Sequence, residues 1–119
     1  MLRIPFDPNK SADQSLQVLI PERQVIGLRL VWNVRASAWD VEVSNTSGGS
    51  TGFFRLEPKW PLLYEHAALS PIVGDIMALP LTRGQVAPLS EYGALGTTWG
   101  LFWLSDEDVE AWRKANGMG

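Results

Sequence analysis

An alternation of apolar and polar residues over two neighbouring segments constrains the fold more than any other feature of the sequence. Every second residue over Ile26–Trp32 is apolar, and the same period returns over Trp39–Val43, with acidic residues at the intervening positions. This period is typical of half-buried antiparallel strands. Because only Asn33–Ser37 separates the two segments, the sequence predicts a hairpin. The core motif of this hairpin is Leu28, Leu30, Trp32, Asn33, Trp39, Val41 and Val43.

Four other segments also have strand character. The alternating segment Leu16–Ile20 precedes the hairpin, and Phe53–Leu56 follows it. Asp75–Leu81 predicts a strand near a sheet edge, since Pro80 cannot donate to a ladder. Thr97–Leu104 is apolar on both faces, which predicts a strand that is central or covered on both sides. The core residues of this last strand are Leu101 and Trp103.

A short C-terminal helix is predicted over residues 105–116. Ser105 can cap its first turn, and Asp108 lies three residues further on, as in a capping box. Val109 and Trp112 lie on one face of the helix. A helix this short is marginal without tertiary contacts, so these two side chains are expected to dock it on the sheet.

Turn-forming residues and prolines define the remaining segments. Ser44–Gly52 and Thr82–Gly96 contain few residues that could anchor them, which predicts loops that are mobile in the isolated chain. The prolines within Glu57–Pro71 exclude a central strand and a long helix. A short helical turn around Leu62–Ala68 is compatible with them.

Composition narrows the class of protein. At 119 residues, 45% of them apolar, the chain is expected to form one domain over 1–119. The net charge is −3, and the 10 basic residues are scattered, which argues against a nucleic-acid-binding face. The absence of cysteine excludes disulfides and thiolate metal sites. No apolar run approaches the ~18 residues of a membrane helix, and the N-terminal segment lacks the apolar stretch of a secretory signal, so a soluble, unprocessed chain is expected.

Residues suited to catalysis are few. His66 is the only histidine, and the adjacent Glu65 need not share its face. Asp40 and Glu42 are interpreted as a solvated strand face, and residues 106–108 as the acidic first turn of the helix. The sequence therefore predicts no enzyme activity, no cofactor and no metal site.

Six tryptophans are the unusual feature of the composition. A domain of this size has limited core volume for six indoles, so one or two of them are expected at the surface. Trp32, Trp39 and Trp99 are expected in the core. Trp60 lies in a proline-rich segment, and an exposed indole there would suit a protein interface. The candidate interface residues are Trp60, Tyr92, Leu95 and Trp112.

Five short segments follow one another in a characteristic order. They are Ile4-Pro5, Gly27–Asn33, Ala38–Val43, Leu95-Gly96 and Leu101–Leu104. This order resembles that of the baseplate plug family of contractile-tailed bacteriophages, small proteins similar to the plug of a cyanophage baseplate. The likeness spans roughly residues 2–104, and its most specific part is the Trp-Asn…Trp hairpin. Trp60 stands where the family commonly has a glycine before its Pro-Leu segment.

The resemblance implies both a fold and a role. The implied fold is mainly β, a small antiparallel barrel or sandwich similar to an oligonucleotide/oligosaccharide-binding fold. The predicted C-terminal helix lies beyond the matched region and follows from its own residues. The implied role is a non-catalytic virion component at the centre of the tail baseplate, assembled in the host cytoplasm. Its implied partners are the baseplate hub and the tail tube, with wedge or spike proteins as further candidates. The family implies no cofactor, no sequence-specific nucleic acid and no membrane insertion.

Two other functions stay open from the residues alone. A carbohydrate-binding β module would use exposed tryptophans as a stacking platform, which requires at least two coplanar indoles beside polar groups. A small glycan hydrolase would rest only on carboxylates that have no other assigned role.

Overall fold

A computed structural model describes residues 1–64, 70–84 and 87–117 of the chain. The described residues form seven strands and one helix, so the predicted mainly-β class with a short C-terminal helix is confirmed. In chain order the elements are β1 (Leu2–Ile4), β2 (Asp13–Leu19), β3 (Val25–Asn33), β4 (Ala38–Asn45), β5 (Ser50–Arg55), β6 (Asp75–Pro80), β7 (Trp99–Leu104) and α1 (Asp106–Ala115).

The strands form two antiparallel sheets. Strands β2, β3, β4 and β5 pair in sequence order as a four-stranded meander, while the second sheet has the order β1-β7-β6. Both sheets contribute side chains to one buried apolar cluster. The two sheets share no strand in the described parts of the chain, so the arrangement is sandwich-like and the barrel-like closure implied by the family resemblance does not form.

The central hairpin has the predicted register. Trp32 pairs with Trp39, and the pairs Leu30–Val41 and Leu28–Val43 follow along the ladder. All of these side chains are buried except that of Trp32, which is half-buried. The alternation in the sequence therefore predicted the core face correctly, because each apolar side chain points to the same side of the sheet.

Asn33 organises the turn of this hairpin. Its amide Nδ2 donates to Asp40 Oδ2 over 3.2 Å, and its Oδ1 accepts from the Ala36 N–H over 3.1 Å. Asn33 is thus a turn-closing residue rather than a core residue, and it binds the first residues of the turn to the strand that follows.

Two strands of the second sheet, β6 and β7, follow the sequence predictions, whereas β1 has no counterpart among the predicted strands. β7 lies between β1 and β6, and it is buried along nearly its whole length, including Leu101 and Trp103. β6 is an edge strand that ends at Pro80. Leu101 pairs with Ile4 on one side and with Ala78 on the other.

The prediction that the whole of Ser44–Gly52 is a loop is wrong. β4 continues to Asn45 and β5 begins at Ser50, so only residues 46–49 lie outside the strands. The Asn45 side chain closes this turn, since its Oδ1 accepts from the Ser47 and Gly49 N–H groups and its Nδ2 donates to the Pro71 carbonyl oxygen over 3.0 Å.

The prediction that Thr82–Gly96 lacks anchoring residues is also wrong. Leu89, Ala94 and Leu95 are buried in the core. The Trp99 indole N–H also donates to the Ala87 carbonyl oxygen over 2.7 Å. The loop is therefore held in place by its buried apolar side chains and by the hydrogen bond from the Trp99 indole to Ala87. The predicted helical turn over Leu62–Ala68 lies mostly outside the described residues, as does His66.

The helix α1 begins at the predicted cap. Ser105 Oγ accepts from the Asp108 N–H over 3.1 Å, and Asp108 Oδ2 accepts from the Ser105 N–H over 3.1 Å, which completes a capping box. Three acidic residues occupy the first turn and two basic residues the last, as the helix dipole favours. No described helix is long and apolar enough to cross a membrane.

Replacing Ser105 with alanine is expected to destabilise the protein by about 0.5–2 kcal/mol, because the Asp108 N–H in the first turn of α1 loses its acceptor, the Ser105 hydroxyl. Urea denaturation monitored by circular dichroism measures the difference. Ser47→Ala is the matched control, since the Ser47 hydroxyl makes no hydrogen bond to the described residues. An equal effect of the two substitutions would contradict the role of the cap.

Candidate functional site

Three aromatic rings form a cluster at the surface beside α1, which we call the helix-side cluster (Trp60, Tyr64, Trp112). The Trp60 ring lies 5.0 Å from that of Trp112 and 5.9 Å from that of Tyr64, centroid to centroid, and both contacts are edge-to-face. Tyr64 and Trp112 are 5.4 Å apart. All three residues are half-buried, so the cluster presents aromatic surface to solvent.

The edge of β6 positions this cluster. The Lys59 N–H donates to the Ala78 carbonyl oxygen and the Leu62 N–H to the Ile76 carbonyl oxygen, so the proline-containing segment runs along β6. Trp112 then reaches across from α1, and its indole N–H donates to the Lys59 carbonyl oxygen over 3.1 Å. The position of Trp60 at the surface is therefore fixed by backbone hydrogen bonds.

Docking of the helix differs from the prediction. No residue of α1 is buried, and both Val109 and Trp112 are half-buried. Trp112 packs on Trp60 and Tyr64 instead of on the face of a sheet. The physical reason is that the segment beside β6 offers Trp112 two aromatic rings for edge-to-face packing and a backbone carbonyl oxygen for its indole N–H.

A second group of rings lies at the turn end of the hairpin, the hairpin-end cluster (Phe6, Trp32, Trp39, Tyr92). Trp39 is 1% exposed and lies 5.1–5.4 Å from the other three rings. The Tyr92 hydroxyl donates to the Pro8 carbonyl oxygen over 2.7 Å. This cluster therefore fastens the N-terminal segment and the loop before β7 to the four-stranded sheet.

The four predicted interface residues divide into two pairs. Trp60 and Trp112 meet in the helix-side cluster, as an interface would require. Leu95 is fully buried, so its assignment to an interface is wrong: it packs in the core and forms a bridge with Trp99. Tyr92 is half-buried, but its ring and hydroxyl make contacts within the chain.

Sequence reasoning missed a buried carboxylate, Asp75, which is 4% exposed. Its Oδ1 accepts from the Leu63 N–H over 2.8 Å and from the Ile76 N–H over 2.7 Å. Burial raises the pKa of this carboxyl to about 6, although the two N–H donors act in the opposite direction. Through its hydrogen bond from Leu63, Asp75 fixes the backbone immediately before Tyr64. The available signal was that Asp75 is the only charged residue between Ser70 and Thr82.

The solvent-facing side of the four-stranded sheet is polar around one aromatic ring. The Arg29 guanidinium lies 5.7 Å from the ring centroid of Phe53, which is 46% exposed. The same guanidinium donates to both carboxylate oxygens of Asp13, over 3.0 and 2.7 Å. Its hydrogen bonds lower the pKa of Asp13 and keep that carboxylate charged.

Four of the five carboxylates considered for acid–base chemistry have structural partners, and the fifth, Glu107, is exposed in the first turn of α1. Asp40 accepts from Asn33, and Glu42 accepts from the Ser50 hydroxyl over 2.9 Å. Asp106 accepts from the Gly74 N–H over 3.2 Å, and Asp108 caps the helix. Within residues 1–64, 70–84 and 87–117, no group of three or more His, Cys, Asp or Glu residues is arranged to hold a metal ion.

In comparisons with known proteins, no protein-family model and no curated protein sequence matches the chain.

Proposed function

We propose that this chain is a virion structural protein of a phage tail baseplate, a central plug that joins the hub, the tail tube and neighbouring proteins. The observation that supports this most is the ordered set of family-like segments and the way they meet in space. Ile4 pairs directly with Leu101, and Gly27–Asn33 and Ala38–Val43 are the two arms of the central hairpin. Segments that are far apart in the sequence thus belong to the same core.

Leu95-Gly96 fits the same pattern. Leu95 is fully buried and pairs with Trp99, at the start of β7. Gly96 has a φ of 96°, and a Cβ atom at this position would collide with the Phe6 carbonyl oxygen. Only glycine combines that backbone conformation with so close an approach of two segments. The Leu-Gly pair is therefore required by the packing of the N-terminal segment against β7.

The helix-side cluster is the surface best suited to a protein partner. Tryptophan and tyrosine dominate the binding energy of protein interfaces when they are presented on a rigid support. Here Trp60 and Tyr64 are held along β6 by backbone hydrogen bonds, and Trp112 is held by the capped helix α1. The side chains are therefore preorganised, which reduces the entropy lost on binding.

The ring geometry gives less support to a carbohydrate platform. A platform requires indoles that lie in one plane, whereas Trp60 and Trp112 meet at 86°. Trp32 and Trp39 meet at 66°, and Trp39 is buried. Tryptophan fluorescence titrated with cell-wall or capsular glycans tests this alternative, and a saturable change with any of them would favour it.

Binding to purified tail-tube and hub proteins of the same phage tests the proposed function. Trp60→Ala is expected to weaken binding about thirtyfold or more, which corresponds to the loss of about 2 kcal/mol at an interface hot spot. Surface plasmon resonance measures the affinity. Trp32→Ala is the matched control, because Trp32 is also half-buried and also packs edge-to-face on other rings.

The binding experiment tests the proposed function and the proposed binding surface separately. If Trp32→Ala alone weakens binding, the contact lies at the hairpin-end cluster and the helix-side assignment is wrong. If the unaltered chain binds neither the tube nor the hub protein, the proposed function itself is contradicted.

A further inference from the structure

Within the described ranges the two sheets have four edge strands, and three of these strands carry features that discourage pairing with another chain. β6 ends at Pro80 and is covered by the segment that donates from Lys59 and Leu62. β1 has only three residues. β5 contains Gly52 with a φ of 72°, and its ladder with β4 is shifted between Glu42 and Ser44. Short edges, prolines and bulges are the usual protection against edge-to-edge association.

The fourth edge strand, β2, has none of these features. It has seven residues, Asp13–Leu19, and pairs with β3 in an unbroken register over its whole length. It contains no proline, glycine or lysine. Its last residue, Leu19, is 67% exposed although it is apolar. β2 is therefore a regular strand whose outer side is open.

The ladder shows which backbone groups point outward from β2. The Trp32 N–H donates to Ala12 and the Ile20 N–H donates to Gln24, so even-numbered residues of this strand face β3. Because the direction alternates along an antiparallel strand, the N–H and C=O groups of Ser15, Gln17 and Leu19 face away from the sheet. They form no hydrogen bond to any residue that the structure describes.

We infer that β2 pairs with β2 of a second copy of this chain, antiparallel and about a two-fold axis at Leu16. This register uses all seven residues of each strand, and the outward-facing residues of one copy meet those of the other. Ser15 lies opposite Gln17 of the second copy, and Asp13 lies opposite Leu19 of the second copy. The two four-stranded sheets then form one continuous sheet, and each interface is isologous.

Charge complementarity favours a second copy over an unrelated strand. Asp13 is the only charged residue of β2, and Arg29 neutralises it, so the paired strands bring no like charges together. In this register Glu22, in the turn after β2, lies nearest to Lys10 of the other copy, and its neighbour Arg23 lies nearest to the uncharged Asn9. The Glu22 and Lys10 side chains are exposed. The two-fold axis repeats this opposite-charge pair on the other side.

A single pair of strands makes a small contact, so the dimer is expected to be reversible, with a Kd between about 1 μM and 1 mM. Sedimentation equilibrium over this concentration range measures it. Amide exchange by NMR gives the register: the Ser15, Gln17 and Leu19 amides gain protection as concentration rises, while the Leu16 and Val18 amides are protected throughout. A monomer at about 1 mM, or a dimer without this alternating protection, overturns the inference.

Two substitutions on the open edge test the strand directly. Gln17→Pro removes an outward N–H without removing a bond to β3, and Ser15→Lys places a charge on the edge. Each is expected to raise the Kd at least tenfold. Ser47→Lys, in the β4–β5 turn, is the matched control and leaves the Kd unchanged. If Gln17→Pro fails to fold, Ser15→Lys alone decides, and an unchanged Kd in a folded Ser15→Lys variant overturns the inference.

A charge exchange separates self-pairing from pairing with another protein. Lys10→Glu places two acidic residues together at each end of the paired strands and is expected to raise the Kd about tenfold. The double variant Lys10→Glu with Glu22→Lys restores opposite charges and therefore the original Kd. If the double variant stays as weak as Lys10→Glu, the two segments do not meet, and the proposed register is wrong.

Discussion

Replacing Trp39 with alanine is expected to destabilise the protein by about 3–5 kcal/mol, the range for loss of a large buried aromatic side chain. Trp39 is 1% exposed and contacts the rings of Phe6, Trp32 and Tyr92. The alanine variant loses the transfer free energy of the indole and leaves a cavity at the point where three segments meet. The substitution also removes the ring on which both Phe6 and Tyr92 pack. Urea denaturation monitored by far-ultraviolet circular dichroism measures the change in the free energy of unfolding.

Two further variants make this result specific. Trp112→Ala removes an indole that is only half-buried, so its effect on the free energy of unfolding should be clearly smaller. Trp39→Phe retains a ring, and it removes an indole N–H that has no hydrogen-bond partner among the residues described by the structure. The phenylalanine variant should therefore recover much of the stability lost in Trp39→Ala. A Trp39→Ala variant no less stable than Trp112→Ala would show that the hairpin-end cluster is not part of the core.

Asp75→Asn is expected to stabilise the protein by up to about 3 kcal/mol near pH 8, and not at all near pH 3.5. The pKa of Asp75 is raised to about 6 in the folded protein, from 3.8 for an ordinary aspartate, because burial disfavours the charged form. The folded state thus binds this proton more tightly than the unfolded state does. The resulting stability is fully present below pH 3.8 and is lost as the pH rises through about 6.

The asparagine variant isolates this effect because its amide oxygen can still accept from Leu63 and Ile76, while no charge has to be buried. The measurement is the difference in free energy of unfolding between the variant and the parent protein from pH 3.5 to pH 8. Asp7→Asn is the matched control, since Asp7 is exposed and caps only the Asn9 N–H. A difference that does not change with pH would contradict a pKa of about 6 for Asp75.

The hairpin and the helix cap could be predicted from the sequence because both depend on local interactions. Alternation over Ile26–Trp32 and Trp39–Val43 fixes which side chains share a face, whatever packs against it. Likewise, Ser105 and Asp108 bond to backbone groups within the same turn. The prediction of these elements therefore does not depend on the remainder of the chain.

The loops and the candidate site depend on distant residues, which explains the errors. Ser44–Gly52 has the composition of a mobile loop, but Asn45 fastens it to Pro71. Leu95 is predicted to be an interface residue, whereas the long loop that contains it folds back into the core. The meeting of Trp60 with Trp112 joins positions that are far apart in the sequence. Such contacts arise from the packing of whole elements, which residue periodicity does not encode.

The two sheets differ in how far apart their strands lie along the chain, and this has a kinetic consequence. The meander from β2 to β5 pairs neighbours in sequence, so each hairpin closes a short loop. β1 instead pairs Leu2 with Trp103, near the opposite end of the chain. A contact between distant residues closes a longer loop, so more chain entropy is lost before the contact can stabilise the fold. We therefore expect the meander to fold first. β1 precedes β7 in the chain and can form its ladder only after β7 has been synthesised.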